Sequence, residues 1–115
     1  MAGRYRVSPK EDRTINGVTF ASKREAERYV ELIGRWHAGE ISSLELQPRF
    51  VLQPRTETGR AAISPITYVA DFRYYDHALG EEVVEDVKGH RTDVYRIKRK
   101  MFEARYPQYL FREVT

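Results

Sequence analysis

The chain has 115 residues, 41% hydrophobic and 32% charged, a size and balance that fit one folded domain with a modest core and exclude a disordered chain. It has no cysteine, which excludes a disulfide framework, a thiolate nucleophile and a cysteine-bound zinc or iron-sulfur centre, so any metal must be held by oxygen or imidazole. The net charge of +3 comes with 15 Arg against 5 Lys; guanidinium suits phosphate oxygens, which makes nucleic acid a candidate partner.

The opening stretch MAGRYRVSPK lacks the apolar core of a signal peptide, and no run approaches the roughly 18 apolar residues of a membrane span. A cytoplasmic protein without membrane contact is the expectation. Arg4 to Phe20 alternates weakly between polar and apolar residues, and Asn16-Gly17 predicts a tight turn, so residues 1–20 read as an N-terminal arm or hairpin. Residues 21–115 read as the single domain. Ser22 stands at an N-cap position with Glu25 three residues on, the capping-box spacing, and predicts a helix over Lys23 to His37 ending near Gly39.

Ile41 to Gln53 reads as one strand, with Pro48 placing it at an edge or a bulge. Residues 54–65, between Pro54 and Pro65, read as a long polar loop. Ile66 to Tyr75 and Glu82 to Lys88 read as an antiparallel hairpin turned by DHALG. Thr92 caps a second helix through about Arg105, Pro107 ends it, and Tyr109 to Val114 forms a last strand. The order is helix, three strands, helix, strand: an α/β (α+β) domain with a mixed sheet.

Asp86 and Lys88 lie two apart on a predicted strand, so both side chains leave the same face. Pairing with the preceding strand brings Asp71 beside Asp86. Two carboxylates that close repel unless a cation lies between them, and such hard oxygen donors suit magnesium or manganese. On the first helix Ala26, Tyr29, Val30, Leu32, Ile33 and Trp36 form an apolar stripe, and Glu25 projects within it while Glu27 and Glu31 lie opposite. A carboxylate so placed is costly to bury unless paired or metal-bound, although Glu25 also serves by simply closing the capping box. Lys98 falls in the apolar sector of the second helix with Val94, Met101 and Phe102, where a lysine can snorkel without a chemical role. From Asp86 to Arg105 seven basic residues face three acidic ones, a local excess of positive charge. His37, His77 and His90 lack paired-ligand spacing and stand outside the site, and the absence of a phosphate-binding GxxxxGK[ST] loop removes nucleotide hydrolysis.

Glu25 on a first helix, then Asp71, then Asp86-Val87-Lys88 before a second helix resembles the PD-(D/E)XK nuclease superfamily, in motif and in element order. The segments GVTFASKREAERYVEL, GEISSLELQPRF, YVADFRYY, VVEDVKG and YRIKRK are similar to a phage family known as domain of unknown function 1064, over nearly the whole chain from Arg4. That family resembles Holliday junction resolvases. Ala70 stands where the superfamily has proline, and Asp86 where glutamate is more frequent; neither change removes a ligand. The resemblance implies a restriction-endonuclease-like core and hydrolysis of DNA phosphodiester bonds, branched DNA included. Asp71, Asp86 and Glu25, with the backbone carbonyl of Val87, would hold one or two magnesium or manganese ions, and Lys88 would act at the reacting phosphate. Arg91, Arg96, Lys98, Arg99 and Lys100 would contact DNA phosphates. The expected partners are DNA and a second copy in a homodimer, with no small-molecule cofactor, in the host cytoplasm if the chain is phage-encoded. The alternatives are a nicking or packaging-associated nuclease without branch preference, and a non-catalytic DNA-binding accessory protein.

Overall fold

Asn16 and Gly17 both have positive φ, 52° and 78°, the conformation a tight hairpin turn demands. They join β1 (Thr14–Ile15) to an antiparallel β2 (Val18–Thr19), behind a short 3-10 turn over Lys10–Arg13. The computed structural model describes residues 7–115, and the first residues of the expected arm, from Arg4, lie outside the described residues. The hairpin is docked rather than free: Phe20 is buried, with Ile15 and Val18 packed around it.

Helix α1 (Lys23–His37) begins where Ser22 Oγ accepts the Glu25 backbone N–H at 3.1 Å. It ends in a Schellman arrangement: Gly39 takes φ 76°, and the N–H groups of Gly39 and Glu40 donate to the carbonyls of Trp36 and Arg35, each at 2.9 Å. Ala26, Tyr29 and Leu32 are buried, whereas Val30 and Trp36 are half exposed. The buried stripe is thus narrower than the apolar periodicity predicts.

The strand expected over Ile41 to Gln53 is two strands, β3 (Ile41–Leu46) and β4 (Arg49–Gln53), in different sheets. Gln47 breaks it with φ 50°, and Pro48, which has no N–H to give a ladder, is buried at the bend. Residues 54–65 carry a β-ribbon, β5 (Thr56–Glu57) and β6 (Ala62–Ile63), in place of the expected loop. Its turn is local, with Thr58 Oγ1 accepting the N–H groups of Arg60 and Ala61 at 3.1 and 3.0 Å. The strand expected over Ile66 to Tyr75 also divides, into β7 (Ile66–Val69) and β8 (Phe72–Asp76). The two bends are bonded together: Gln47 N–H donates to the Asp71 carbonyl at 3.0 Å, and Ala70 N–H to the Pro48 carbonyl at 3.1 Å. One long antiparallel pair therefore bends midway and crosses from one sheet to another.

Strand β9 (Glu81–Val87) pairs antiparallel with β8, and β10 (Leu110–Val114) pairs parallel with β9 after helix α2 (Asp93–Arg105). The main sheet runs β10-β9-β8-β3, and β4-β7 forms a smaller sheet beside it. The fold is mixed α/β, and the expected order holds once each bent strand counts as one. Val83 joins the core under α1 and its neighbour Val84 the core under α2, so β9 is covered on both faces. Leu32 and Phe102, each fully buried, anchor the two helices, at about 1.5–3 kcal/mol apiece. On α2 the buried residues are Tyr95 and Phe102, while Val94 is 62% exposed; the apolar sector expected around Val94 is shifted towards Tyr95. Among the described residues no helix is long and apolar enough to cross a membrane.

Candidate functional site

The end of β9 gathers the four residues singled out by the sequence. Asp86 is buried on the α2 side of the strand. Its Oδ2 accepts a short hydrogen bond from the Tyr68 hydroxyl, and its Oδ1 lies 3.0 Å from Lys88 Nζ, close enough for charge pairing but without a hydrogen-bonded partner. Lys88, just beyond the strand, also sits over the Tyr95 ring, 4.5 Å from its centroid. Asp71 occupies the bend between β7 and β8. Its N–H donates to the Glu85 carbonyl at 3.0 Å, and its Oδ2 accepts the Val87 N–H at 2.6 Å.

Glu25 is 5% exposed and its carboxyl comes within hydrogen-bonding reach of Asp71. Its backbone N–H completes half of the capping box, while its side chain is spent inside the site. Burial first, then the nearby Asp86 and Glu25, push the Asp71 carboxyl up to about 8. Burial, with Asp86 second among the unfavourable influences, likewise raises Glu25. Near neutral pH the Asp71–Glu25 pair therefore retains a proton, which relieves the repulsion between them.

Two buried carboxylate oxygens, Glu25 Oε1 and Asp86 Oδ1, have no hydrogen-bond partner. A buried anionic oxygen without a hydrogen-bond partner is costly, and carboxylate oxygens are the donor type a hard divalent cation takes. Among the described residues, however, no three acidic or histidine side chains stand at metal-ligand spacing.

Two clefts flank the cluster. One, of about 560 Å³, is lined by Ser22, Arg24, Glu25, Asp71, Val87, Lys88 and His90. The other, of about 310 Å³, lies between Thr67–Val69 on β7 and Thr92, Val94 and Lys98 on α2, with Asp86 and Lys88 at its floor. Lys88 belongs to both. Lys98 faces a cleft rather than an apolar core, and His90, set aside on sequence grounds, borders the first cleft. The other basic candidates divide. Arg91 Nε and Arg99 Nη1 bind Glu113 at 2.7 and 3.0 Å, Arg96 pairs with exposed Asp93 at 3.5 Å, and Lys100 is exposed.

Sequence reasoning passed over Tyr68, Tyr95, Glu113 and the pair Arg28–Glu85. Glu85 is fully buried, receives Arg28 through Nε and Nη2 at 2.8 and 2.6 Å, and accepts the Tyr74 hydroxyl as well. A signal existed for this pair: two adjacent acids on a strand covered on both faces must each find a partner.

Fold and site together define a mixed α/β domain with a buried carboxylate–lysine cluster at the end of its central strand. The chain belongs to the family described as "Protein of unknown function (DUF1064)", whose model matches residues 5–114. No curated protein matches it, and no solved structure does.

Proposed function

We propose that this protein is a metal-dependent endonuclease of PD-(D/E)XK type that hydrolyses phosphodiester bonds in DNA. The observation that carries the reading is the convergence of Glu25, Asp71, Asp86 and Lys88 beside open clefts, with Glu25 Oε1 buried and unpartnered and Asp86 Oδ1 met only by the Lys88 ammonium. Pure phosphate binding has no use for buried acids next to the ligand. A bound divalent cation would supply positive charge to the phosphate and lower the pKa of water. Asp71, Asp86 and Glu25 are the residues to hold it. Lys88 places its ammonium where negative charge grows on the phosphate oxygens during attack. Water adds to phosphorus as the P–O bond to the leaving sugar oxygen breaks; the attacking water gives its proton to bulk solvent, and the leaving oxygen takes one from bulk solvent, while Asp71, Asp86 and Glu25 would stay ionised to hold the cation. Preference for branched DNA rests on the family resemblance alone.

The test is incubation of the purified protein with supercoiled plasmid, linear duplex and a synthetic four-way junction, each with magnesium, manganese or EDTA, alongside calorimetric titration with manganese. Asp86→Ala is expected to abolish cleavage and weaken manganese binding while the fold persists. Lys88→Ala is expected to lower the cleavage rate by about 10²–10³-fold and DNA affinity far less. Undiminished cleavage by Asp86→Ala would falsify the site. A second reading, a DNA-binding accessory protein without catalysis, draws on the Asp86–Lys88 ion pair and the shared Asp71–Glu25 proton, which balance much of the cluster's charge without a cation. Absence of both cleavage and manganese binding in the wild-type protein would favour it.

A further inference from the structure

We infer that the β5–β6 ribbon is an arm that grips the phosphate backbone of nucleic acid beyond the cut site. The inference builds on the nuclease reading in assigning DNA as the partner. Every residue from Pro54 to Pro65 is exposed, and β5 and β6 pack on each other rather than on a helix or the main sheet. A two-stranded ribbon that buries no apolar surface is marginal by itself and costs conformational entropy to order. Within the described fold the ribbon has its own ladder, the Thr58 turn bonds and the Arg55–Glu57 pair, which leaves its outer surface for a partner to cover.

The position of the ribbon identifies that partner. It is the outward continuation of β4 and β7, and β7 forms one wall of the cleft whose floor is Asp86 and Lys88. Ile66, where β7 begins, directly follows the ribbon, and Thr67 to Val69 continue from it along the cleft wall. Arg49, Arg55 and Arg60 lie along this path against one acid, Glu57. Arg55 pairs with Glu57 at 2.8 Å, which leaves Arg60 in the turn and, at the far end of β4, Arg49, opposite Val69 and bonded to Thr67 Oγ1 at 3.3 Å on the cleft wall, as the cations for phosphate. Lys98 supplies positive charge from the opposite wall. This pattern of charge beside a nucleolytic cleft fits a polyanion better than a protein surface.

The register gives a clean way to remove the arm. Gln53 and Ile66 are direct cross-strand partners, so residues 54–65 can be replaced by Asn-Gly, closing β4 and β7 as a tight hairpin. Binding of fluorescent duplex and junction DNA is measured by anisotropy in EDTA over a salt series, with thermal melts and size exclusion on the same samples. The expected result is a melting temperature within about 2 °C of wild type and at least a tenfold loss of DNA affinity with a shallower salt dependence. Arg60→Glu, which keeps the ribbon, should lose affinity in the same direction. Unchanged affinity in both variants overturns the arm. So does a ribbonless protein that falls from dimer to monomer at unchanged DNA affinity, which would make the ribbon a contact between copies. Intact protein that binds DNA through the ribbon but never cuts it removes the nuclease reading and leaves the arm standing.

Discussion

Asp71 is central to the proposed site and is also costly to bury. Its carboxyl, ordinarily near 3.8, is raised to about 8 by burial and then by Asp86 and Glu25. A carboxyl held higher in the folded than in the unfolded chain binds its proton more tightly when folded. Its contribution to stability is therefore complete below about pH 4 and is lost as pH rises through about 8. Metal-free protein should accordingly melt lower at pH 8 than at pH 5. Asp71→Asn keeps an oxygen to accept the Val87 N–H and removes the charge. In EDTA at pH 8 it should melt about 5 °C or more above wild type, the gap closing towards pH 5, and it should bind manganese more weakly. A variant that melts lower at both pH values would make Asp71 a structural acceptor instead.

At the scale of elements, the placing of α1 decides whether Glu25 reaches Asp71, and a single buried ion pair controls that placing. Arg28 lies one turn beyond Glu25 and clamps the helix to Glu85 through two bonds. Arg28→Met leaves Glu85 buried with only the Tyr74 hydroxyl, a loss of about 3–5 kcal/mol in urea unfolding. Arg24→Met, whose partners Glu27 and Glu31 are about half exposed, should cost about 1 kcal/mol or less. Equal losses in the two variants would remove Arg28 from this role. The elements with local signals were legible in the sequence: the Asn16-Gly17 hairpin, α1 from Ser22 to Gly39, the DHALG turn and the Thr92 cap each depend on a few neighbouring residues. Pro48 marked an irregularity, but the division of both long strands at Gln47-Pro48 and Ala70-Asp71 was not legible, because the two bends are bonded to each other and form only when the strands pair. The site was legible in Asp71, Asp86, Lys88 and Glu25, which share strand parity or a helix stripe. Tyr68 and Tyr95 were not, since their relation to Asp86 and Lys88 exists only after three elements have packed.

Among the described residues there is one buried carboxylate–lysine cluster, whereas resolving a symmetric four-way junction takes two cuts on opposing strands. The branched-DNA reading therefore requires two copies, and a twofold dimer sets equivalent sites on equivalent strands. The N-terminal hairpin is packed on α1 through Phe20 and Pro48 is buried, so neither is free to pair copies. Strand β3 keeps an outer edge without a partner strand, with an irregular register between Ser42 and Glu45 and Ser43 at φ 56°. Light scattering after size exclusion should show a homodimer at tens of micromolar, and Leu44→Lys, beside this edge, should shift it towards monomer. A chain that stays monomeric on junction DNA would leave a simple nicking enzyme.

The bend that carries Asp71 also separates what can drift from what cannot. Along β8 and β9 the chain is held by backbone bonds to both neighbouring strands, so a residue inserted within either strand would turn one half of the cluster to the wrong face. Between Gln53 and Ile66 the spacing is open, because that pair can close over a turn of almost any length. Members of the family should then keep one interval constant and vary the other freely, with the outer segment acquiring new lengths and charges as the DNA it meets changes. Selection could retune what such a protein holds without disturbing the carboxylate–lysine cluster.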